Sequence, residues 1–191
     1  MFIIRKLGLL FIILGIGIGG YVLYGSYQQD KRTEKMVREI EQLGERTVPT
    51  SAEASQEEPP SRWVLVIPKI DLTVPVLEGT TEEVLDVAAG KLESSGQLGK
   101  KGHNFVVAAH RAYQFGRFFN RLDELEGGDE VLVQSADTTY QFQVSEKKII
   151  NPNQAEYLNP KPDHAMLTLL TCHPMYSDSK RLLVFTELQN N

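Results

Sequence analysis

Cysteine is nearly absent from this chain, because Cys172 is the only one among 191 residues. A single cysteine excludes an internal disulfide. In an exported protein, an unpaired cysteine indicates a reactive thiol. The alternative is a small buried hydrophobic side chain without chemistry, since free cysteines are commonly buried and inert.

Positive charge is also scarce. The formal net charge is -5, the pI is about 5.4, and Lys and Arg form no cluster beyond isolated pairs. A nucleic-acid-binding protein would usually present a basic face, so we expect no nucleic-acid partner. With 41% hydrophobic and 24% charged residues, the composition is ordinary for one globular domain with additional segments.

Metal-ligand spacing is missing as well. None of the four histidines pairs with Cys172 or a carboxylate at the spacing of a structural zinc site. Carboxylates do cluster around one predicted turn, and clustered oxygens can bind hard cations. A solvated turn is the default interpretation of this acidic turn, which comprises Asp123, Glu124, Glu126, Asp129 and Glu130.

Residues 7–24 carry no charge and could cross a hydrocarbon core of about 30 Å as a helix. No alanine precedes Ala52, so an A-x-A-like cleavage site is lacking and an uncleaved anchor is favoured over a signal peptide. Arg5 and Lys6 precede the span, and the positive-inside rule then places the N-terminus in the cytoplasm. We expect a single-pass protein of the cell membrane with its remaining domain outside.

The composition divides the chain into three parts. Residues 1–27 form the cytoplasmic tip and the transmembrane anchor. Residues 28–61 form a charged juxtamembrane helix or spacer followed by a flexible linker rich in Ser, Glu, Thr and Pro, which cannot bury enough surface to fold. Residues 62–191 form the folded domain, held away from the membrane by that stalk.

The folded domain is mostly β. Short β-like runs separated by turn signals predict a closed or nearly closed eight-stranded barrel with a few short helices. Helical spacing predicts one helix at residues 82–89, and a short helical turn is expected within residues 115–125. The eight runs are residues 63–67, 74–77, 104–109, 130–134, 139–144, 148–150, 166–171 and 182–188.

Cys172 ends one apolar run, and Arg181 opens the next. If these strands pair antiparallel, the thiol and the guanidinium meet at one edge of the sheet. A cation beside a cysteine favours the nucleophilic thiolate and stabilises negative charge on an attacked carbonyl. The alternative is that Arg181 is a solvated strand residue with no part in the chemistry.

His110 is the best-placed histidine, because it ends its own strand-like run as Cys172 does. A lone cysteine with a distant histidine is a candidate nucleophile and acid–base partner. His173 directly follows Cys172, and neighbours in an extended chain point to opposite faces. His103 and His164 lie in polar segments and are expected to be exposed.

The motif Thr168-Leu169-Leu170-Thr171-Cys172, spelling T-L-x-T-C, closely resembles the sortase signature, with Arg181 opening the following strand. Ala109-His110-Arg111 resembles the sortase histidine segment, and Val66-Ile67-Pro68-Lys69-Ile70 resembles the start of that family's barrel. The resemblance covers about residues 62–188. It is strongest to class D and second to class A, although Ala109 and Ala112 depart from the usual pattern.

The resemblance implies a sortase-type eight-stranded β-barrel and a membrane-anchored cysteine transpeptidase of a Gram-positive bacterium. Cys172 would cleave an LPxTG-like sorting signal through a thioester, with Arg181 at the oxyanion and His110 as acid and base. The acyl group would pass to an amine of a peptidoglycan precursor. The implied partners are therefore surface proteins with sorting signals, the cell-wall precursor and the membrane.

The resemblance also implies substrate-binding roles for Thr171, Thr168 and Pro174, and a substrate-receiving wall at residues 151–164. No cofactor is required, although some class A sortases use calcium at an acidic loop. Two alternatives remain open: a cysteine endopeptidase that releases the acyl group to water, and a non-catalytic tethered binding barrel.

Overall fold

The computed structural model describes residues 63–111 and 118–189. They form a closed barrel with the strand order β1-β2-β3-β4-β7-β8-β6-β5. The fold predicted from the sequence, a mostly β eight-stranded barrel, is confirmed. The strands are β1 (Trp63–Ile67), β2 (Leu72–Glu78), β3 (Ala89–Lys91), β4 (His103–Ala108), β5 (Glu130–Gln134), β6 (Thr139–Ile150), β7 (Ala165–His173) and β8 (Lys180–Leu188).

Helical structure among the described residues is short. One α-helix, α1 (Glu82–Leu85), precedes β3, and three 3-10 helices connect strands at Pro68–Ile70, Leu122–Glu124 and Ala155–Leu158. The helix predicted at residues 82–89 is half as long as expected. The predicted turn within 115–125 corresponds to Leu122–Glu124, whereas residues 112–117 lie outside the described part.

The barrel mixes strand directions. Neighbouring strands are antiparallel except for β2 with β3 and β4 with β7, which run parallel. Because β4 and β7 are parallel, their carboxyl ends lie at the same rim of the barrel. β8 pairs antiparallel with β7 from Lys180 to Glu187, so the start of β8 reaches that rim too.

The barrel interior is a continuous apolar core. Its large, fully buried side chains include Phe105, Phe119 and Phe142. A second, smaller cluster of Ile150, Met166, Leu183 and Phe185 lies on the outer face of β6, β7 and β8, where Tyr157 and Leu158 pack against it. The central strand β7 is thus buried on both faces, which explains its nearly unbroken run of apolar residues.

Strand β3 is absent from the sequence prediction. Its three residues, Ala89-Gly90-Lys91, lack the β-branched and aromatic side chains that mark a strand. Small residues are needed because the backbone is crowded: a Cβ at Gly90 would collide with the carbonyl oxygen of Gly79. The chain therefore uses glycine where two backbones approach closely.

Strand β6 is one strand, not two. The sequence divides it into residues 139–144 and 148–150 because polar and charged residues lie between. In the structure, a register irregularity between Val144 and Glu146 lets the strand continue past these polar residues. There Ser145 Oγ donates to the Phe185 carbonyl at 3.2 Å. The prediction divided β6 into two strands and missed β3, so its total of eight strands still agrees with the structure.

The predicted anchor at residues 7–24 and the linker at residues 28–61 lie outside the described residues. Within 63–111 and 118–189, no helix has the length and apolarity needed to cross a bilayer. The transmembrane anchor stays a prediction of the sequence.

Candidate active site

Strand alternation decides which way the cysteine faces. In β7, Leu167 and Leu169 lie in the barrel core, whereas Met166 lies in the outer cluster. Since successive side chains of a strand point to opposite faces, Cys172 belongs to the outer face. It is half-buried there, at the carboxyl end of β7.

Arg181 lies directly beside Cys172. The two residues are Cα partners in the antiparallel β7–β8 ladder, which confirms the strand pairing that the sequence predicts. In β8, Leu182 and Val184 face the core and Leu183 faces the outer cluster, so alternation places Arg181 on the same outer face as the thiol.

His110 reaches the same level from the other side of β7. The parallel β4–β7 register pairs Ala108 with Leu170, and Ala109 N continues it by donating to the Leu170 carbonyl at 3.1 Å. Extending this register brings His110 level with Cys172. Ala109 packs in the core and His110 is exposed, so the imidazole lies on the outer face.

Three neighbouring strands therefore place a histidine, a cysteine and an arginine in one row. Arg181 Nη1 donates to the carbonyls of Asp178 at 2.7 Å and Lys180 at 3.0 Å, which folds the guanidinium over the β7–β8 loop. Within the described ranges, the hydrogen bonds of this guanidinium are made by Nη1. The arrangement supports nucleophilic attack by sulfur with acid–base assistance from His110.

The two threonines of the T-L-x-T-C motif are buried. Thr171 Oγ1 donates to the Ala109 carbonyl at 2.8 Å, and Thr168 Oγ1 donates to Asn104 Oδ1 at 2.9 Å. Both hydroxyls tie β7 to β4, and neither is presented at the surface. Their placement gives no support to the substrate-binding roles that the resemblance implies, whereas Pro174 is exposed in the loop after β7.

Asn104 extends one of these threonine contacts to the wall of the site. Its side chain is buried on the outer face of β4, where Nδ2 donates to the Leu158 carbonyl at 2.9 Å while Oδ1 accepts from Thr168. Leu158 ends the 3-10 helix of the β6–β7 connection, whose Tyr157 and Leu158 pack on the outer cluster. Asn104 therefore fixes the segment that the sequence predicts to receive substrate.

Replacement of Asn104 by alanine is expected to destabilise the domain by about 2 kcal/mol, because it leaves buried hydrogen-bonding groups unsatisfied. The thermal midpoint should fall by several degrees in calorimetry. Gln154→Ala is the control, since Gln154 Oε1 accepts from Asn151 N at the exposed start of the same connection. An Asn104→Ala midpoint equal to that of the control would contradict the anchoring role.

One residue beyond the row of His110, Cys172 and Arg181, the buried Arg111 contacts both β7 and the 3-10 helix Leu122–Glu124. Arg111 Nη1 donates to His173 Nδ1 at 2.9 Å, and Arg111 Nη2 contacts Asp123 Oδ1 at 2.8 Å. His173 thus bonds away from the thiol, as alternation predicts. In the sequence, Arg111 stands out only as part of the Ala109-His110-Arg111 segment and Asp123 only as part of the acidic turn, because nothing local shows that the two meet.

The acidic turn is occupied by cations and donors of the protein itself. Asp123 contacts Arg111, Glu124 contacts Arg121, and Asp129 contacts Lys69 at 3.7 Å. The hydrogen bonds from Arg121 hold the pKa of Glu124 below its ordinary value. Across the described ranges, no three His, Cys, Asp or Glu side chains are grouped to hold a metal ion.

The other two histidines lie at the opposite ends of β4 and β7 from Cys172. His164 is exposed, as predicted, with Nδ1 at 3.1 Å from Glu187 Oε2. His103 was expected in an exposed turn but begins β4 half-buried, where Nδ1 accepts from Gln97 N at 3.1 Å. Neither can share a proton with Cys172.

Comparison with known proteins agrees with this geometry. A family model described as the sortase domain matches residues 65–189. The chain is similar to sortase A of Bacillus anthracis, 25% identical over 197 residues and covering 94% of this chain and 91% of that protein. Sortase D of Bacillus subtilis is 25% identical over 183 residues, covering 89% and 90% of the two chains. Among solved structures, a lid mutant of sortase A from Corynebacterium diphtheriae superposes with a TM-score of 0.67 at 26% identity, covering 71% of this chain and 74% of that one.

Proposed function

The chain belongs to the sortase family of cysteine transpeptidases, and on that premise we propose that it is a membrane-anchored sortase that cleaves LPxTG-like sorting signals. The observation that carries the proposal is the pairing of Cys172 with Arg181, with His110 two residues beyond the last pair of the parallel β4–β7 ladder, Ala108 with Leu170. The similarity to both sortase A and sortase D fits the resemblance to those two classes.

In the proposed reaction, the Cys172 thiolate attacks the carbonyl carbon of the threonine in the sorting signal. Arg181 stabilises the oxyanion, and His110 gives a proton to the amine that leaves when the C–N bond breaks. The resulting thioester is attacked by an incoming amine, from which His110 takes the proton. The new amide forms as the C–S bond breaks and the thiolate returns.

The proposed donors are surface proteins, and the proposed acceptor is an amine of a peptidoglycan precursor. Both occur at the outer membrane face, where the predicted anchor at residues 7–24 would hold the enzyme. Every step is an acyl or a proton transfer, so we propose that no cofactor is needed. The acidic turn supports this proposal, because four of its five carboxylates, all except Glu126, already contact protein cations or donors.

The test uses the full chain in detergent with an LPxTG or LPxTA peptide and a small amine nucleophile. Mass spectrometry should detect a thioester on Cys172 and an amide product. Addition of calcium or EDTA should leave turnover unchanged. A hydrolysed product even at saturating amine would favour the endopeptidase alternative, and absence of both thioester and product would refute the proposal.

Arg181→Lys is expected to lower the acylation rate at least about 100-fold, comparable to the loss of an oxyanion donor. A guanidinium offers a fixed fork of donors that an ammonium lacks, so charge alone should not suffice. Lys180→Ala is the matched control, because Lys180 is exposed and pairs with His173 on the other face of the strand. Single-turnover acylation decides: wild-type rates in Arg181→Lys would mean that charge is enough, and an inactive Lys180→Ala would mean that Lys180 is the required cation.

A further inference from the structure

Arg111 occupies an unusual position. It directly follows His110, and its partner His173 directly follows Cys172. Their 2.9 Å bond therefore joins the segment after β4 to the end of β7, one residue beyond the row of His110, Cys172 and Arg181. The Arg111 side chain is only 5% exposed, although it carries a permanent charge. Its Nε has no hydrogen-bond partner among the described residues.

The contact with His173 fixes the state of that ring. A guanidinium can only donate hydrogen bonds, so Nδ1 of His173 must accept and the ring proton is on Nε2. A proton on Nδ1 would remove this acceptor and break the bond. His173 therefore serves as an acceptor for Arg111.

Asp123 contacts the same guanidinium through its other terminal nitrogen, Nη2. It lies in the 3-10 helix Leu122–Glu124. Just before this helix, Phe119 N donates to the His110 carbonyl at 3.1 Å. The Asp123 side chain is 51% exposed, so solvent screens its charge and the ion pair should add little to stability. A buried guanidinium with one unmatched donor is likewise a poor source of stability.

From these contacts we propose that Arg111 is a positioning residue that keeps His110 level with Cys172 along the strands. The guanidinium is one rigid planar group that connects His173, the residue after Cys172, to Asp123, which follows His110 in the chain. Without it, the Ala109 N–Leu170 bond and the Thr171 hydroxyl still join the strands up to Ala109, but the segment beyond that point, which carries His110, has lost the Arg111 link to His173. Displacements of about 1 Å at a reacting pair can cost up to about 100-fold in rate.

The inference rests on the proposed function, but one readout is independent of it. Cys172 is the only thiol in the chain, so its alkylation by iodoacetamide reports on that site without any sorting peptide. Cations held beside a cysteine favour its reactive thiolate. Loss of the support should therefore slow alkylation near neutral pH, whereas a merely structural role would lower the thermal midpoint and leave the rate of the folded protein unchanged.

The experiment compares variants of the full chain at a temperature where circular dichroism shows each to be folded. Arg111→Lys keeps the charge but cannot bridge both partners, and we expect acylation to fall about 10-fold with KM within about twofold. Alkylation should slow at least about threefold. His173→Leu should behave similarly, whereas His173→Asn, which keeps an acceptor near the Nδ1 position, should restore most of both rates.

The neighbouring carboxylates supply a matched control. Asp123→Ala removes a carboxylate partner of Arg111, whereas Glu124→Ala, one position later in the same 3-10 helix, removes a carboxylate partner of Arg121. Only Asp123→Ala should slow alkylation and acylation. Equal rates in these two variants, or equal rates in His173→Leu and wild type, would overturn the proposal. If wild type turned over no peptide, the proposed function would fail while the alkylation rates still decided on Arg111.

Discussion

Cys172→Ala is expected to abolish both the thioester and the amide product. Acyl transfer in the proposed mechanism requires a nucleophile that is also a good leaving group, and this chain contains no second thiol. Incubation with peptide and amine, followed by intact-protein mass spectrometry, should show the acyl adduct on wild type alone. Product formation by Cys172→Ala at more than a trace level would refute the thioester mechanism.

The fold of this variant can be checked independently. Cys172 is half-buried at the end of β7 and belongs to neither apolar cluster, so removal of its sulfur should leave no cavity in the core. We expect its thermal midpoint to lie within a few degrees of wild type. Peptide binding should persist, which separates loss of chemistry from loss of structure.

His110→Ala is expected to lower acylation and transfer by about 10²- to 10⁴-fold, the usual contribution of general acid–base catalysis. The imidazole is exposed, and its strand register places it level with Cys172 on the outer face. Because the side chain is at the surface, its removal should change the free energy of unfolding little. Single-turnover rates with the sorting peptide measure the effect.

Comparison with the other histidines makes this test specific. His164→Ala is the control, because His164 is also exposed but lies at the far end of β7 beside Glu187. It should retain wild-type activity. His173→Ala should lose only about as much as the Arg111 variants, so a greater loss in His173→Ala than in His110→Ala would show that the base is assigned to the wrong histidine.

Much of the barrel can be predicted because strand patterns are local. The alternation of apolar Tyr140, Phe142 and Val144 with polar residues in β6, the apolar run of β7 and the turn residues between these strands mark them without reference to the rest of the chain. Prediction failed where the local signal was weak or misleading. The small residues of β3 conceal a strand that close backbone packing requires, and the polar segment around Ser145 divides a strand that a bulge carries through.

The sequence by itself determined the single nucleophile, the β class and the adjacency of Cys172 and Arg181. The adjacency follows because Cys172 ends one strand and Arg181 opens the next, with a short loop between them. Only the tertiary structure decided what lies beside them. The parallel β4–β7 pairing brings His110 to the row, and Arg111 meets His173 across 62 residues of chain. Closure of the barrel sets such long-range pairings, and no local pattern of residues records which distant strands become neighbours or which buried hydroxyls join them.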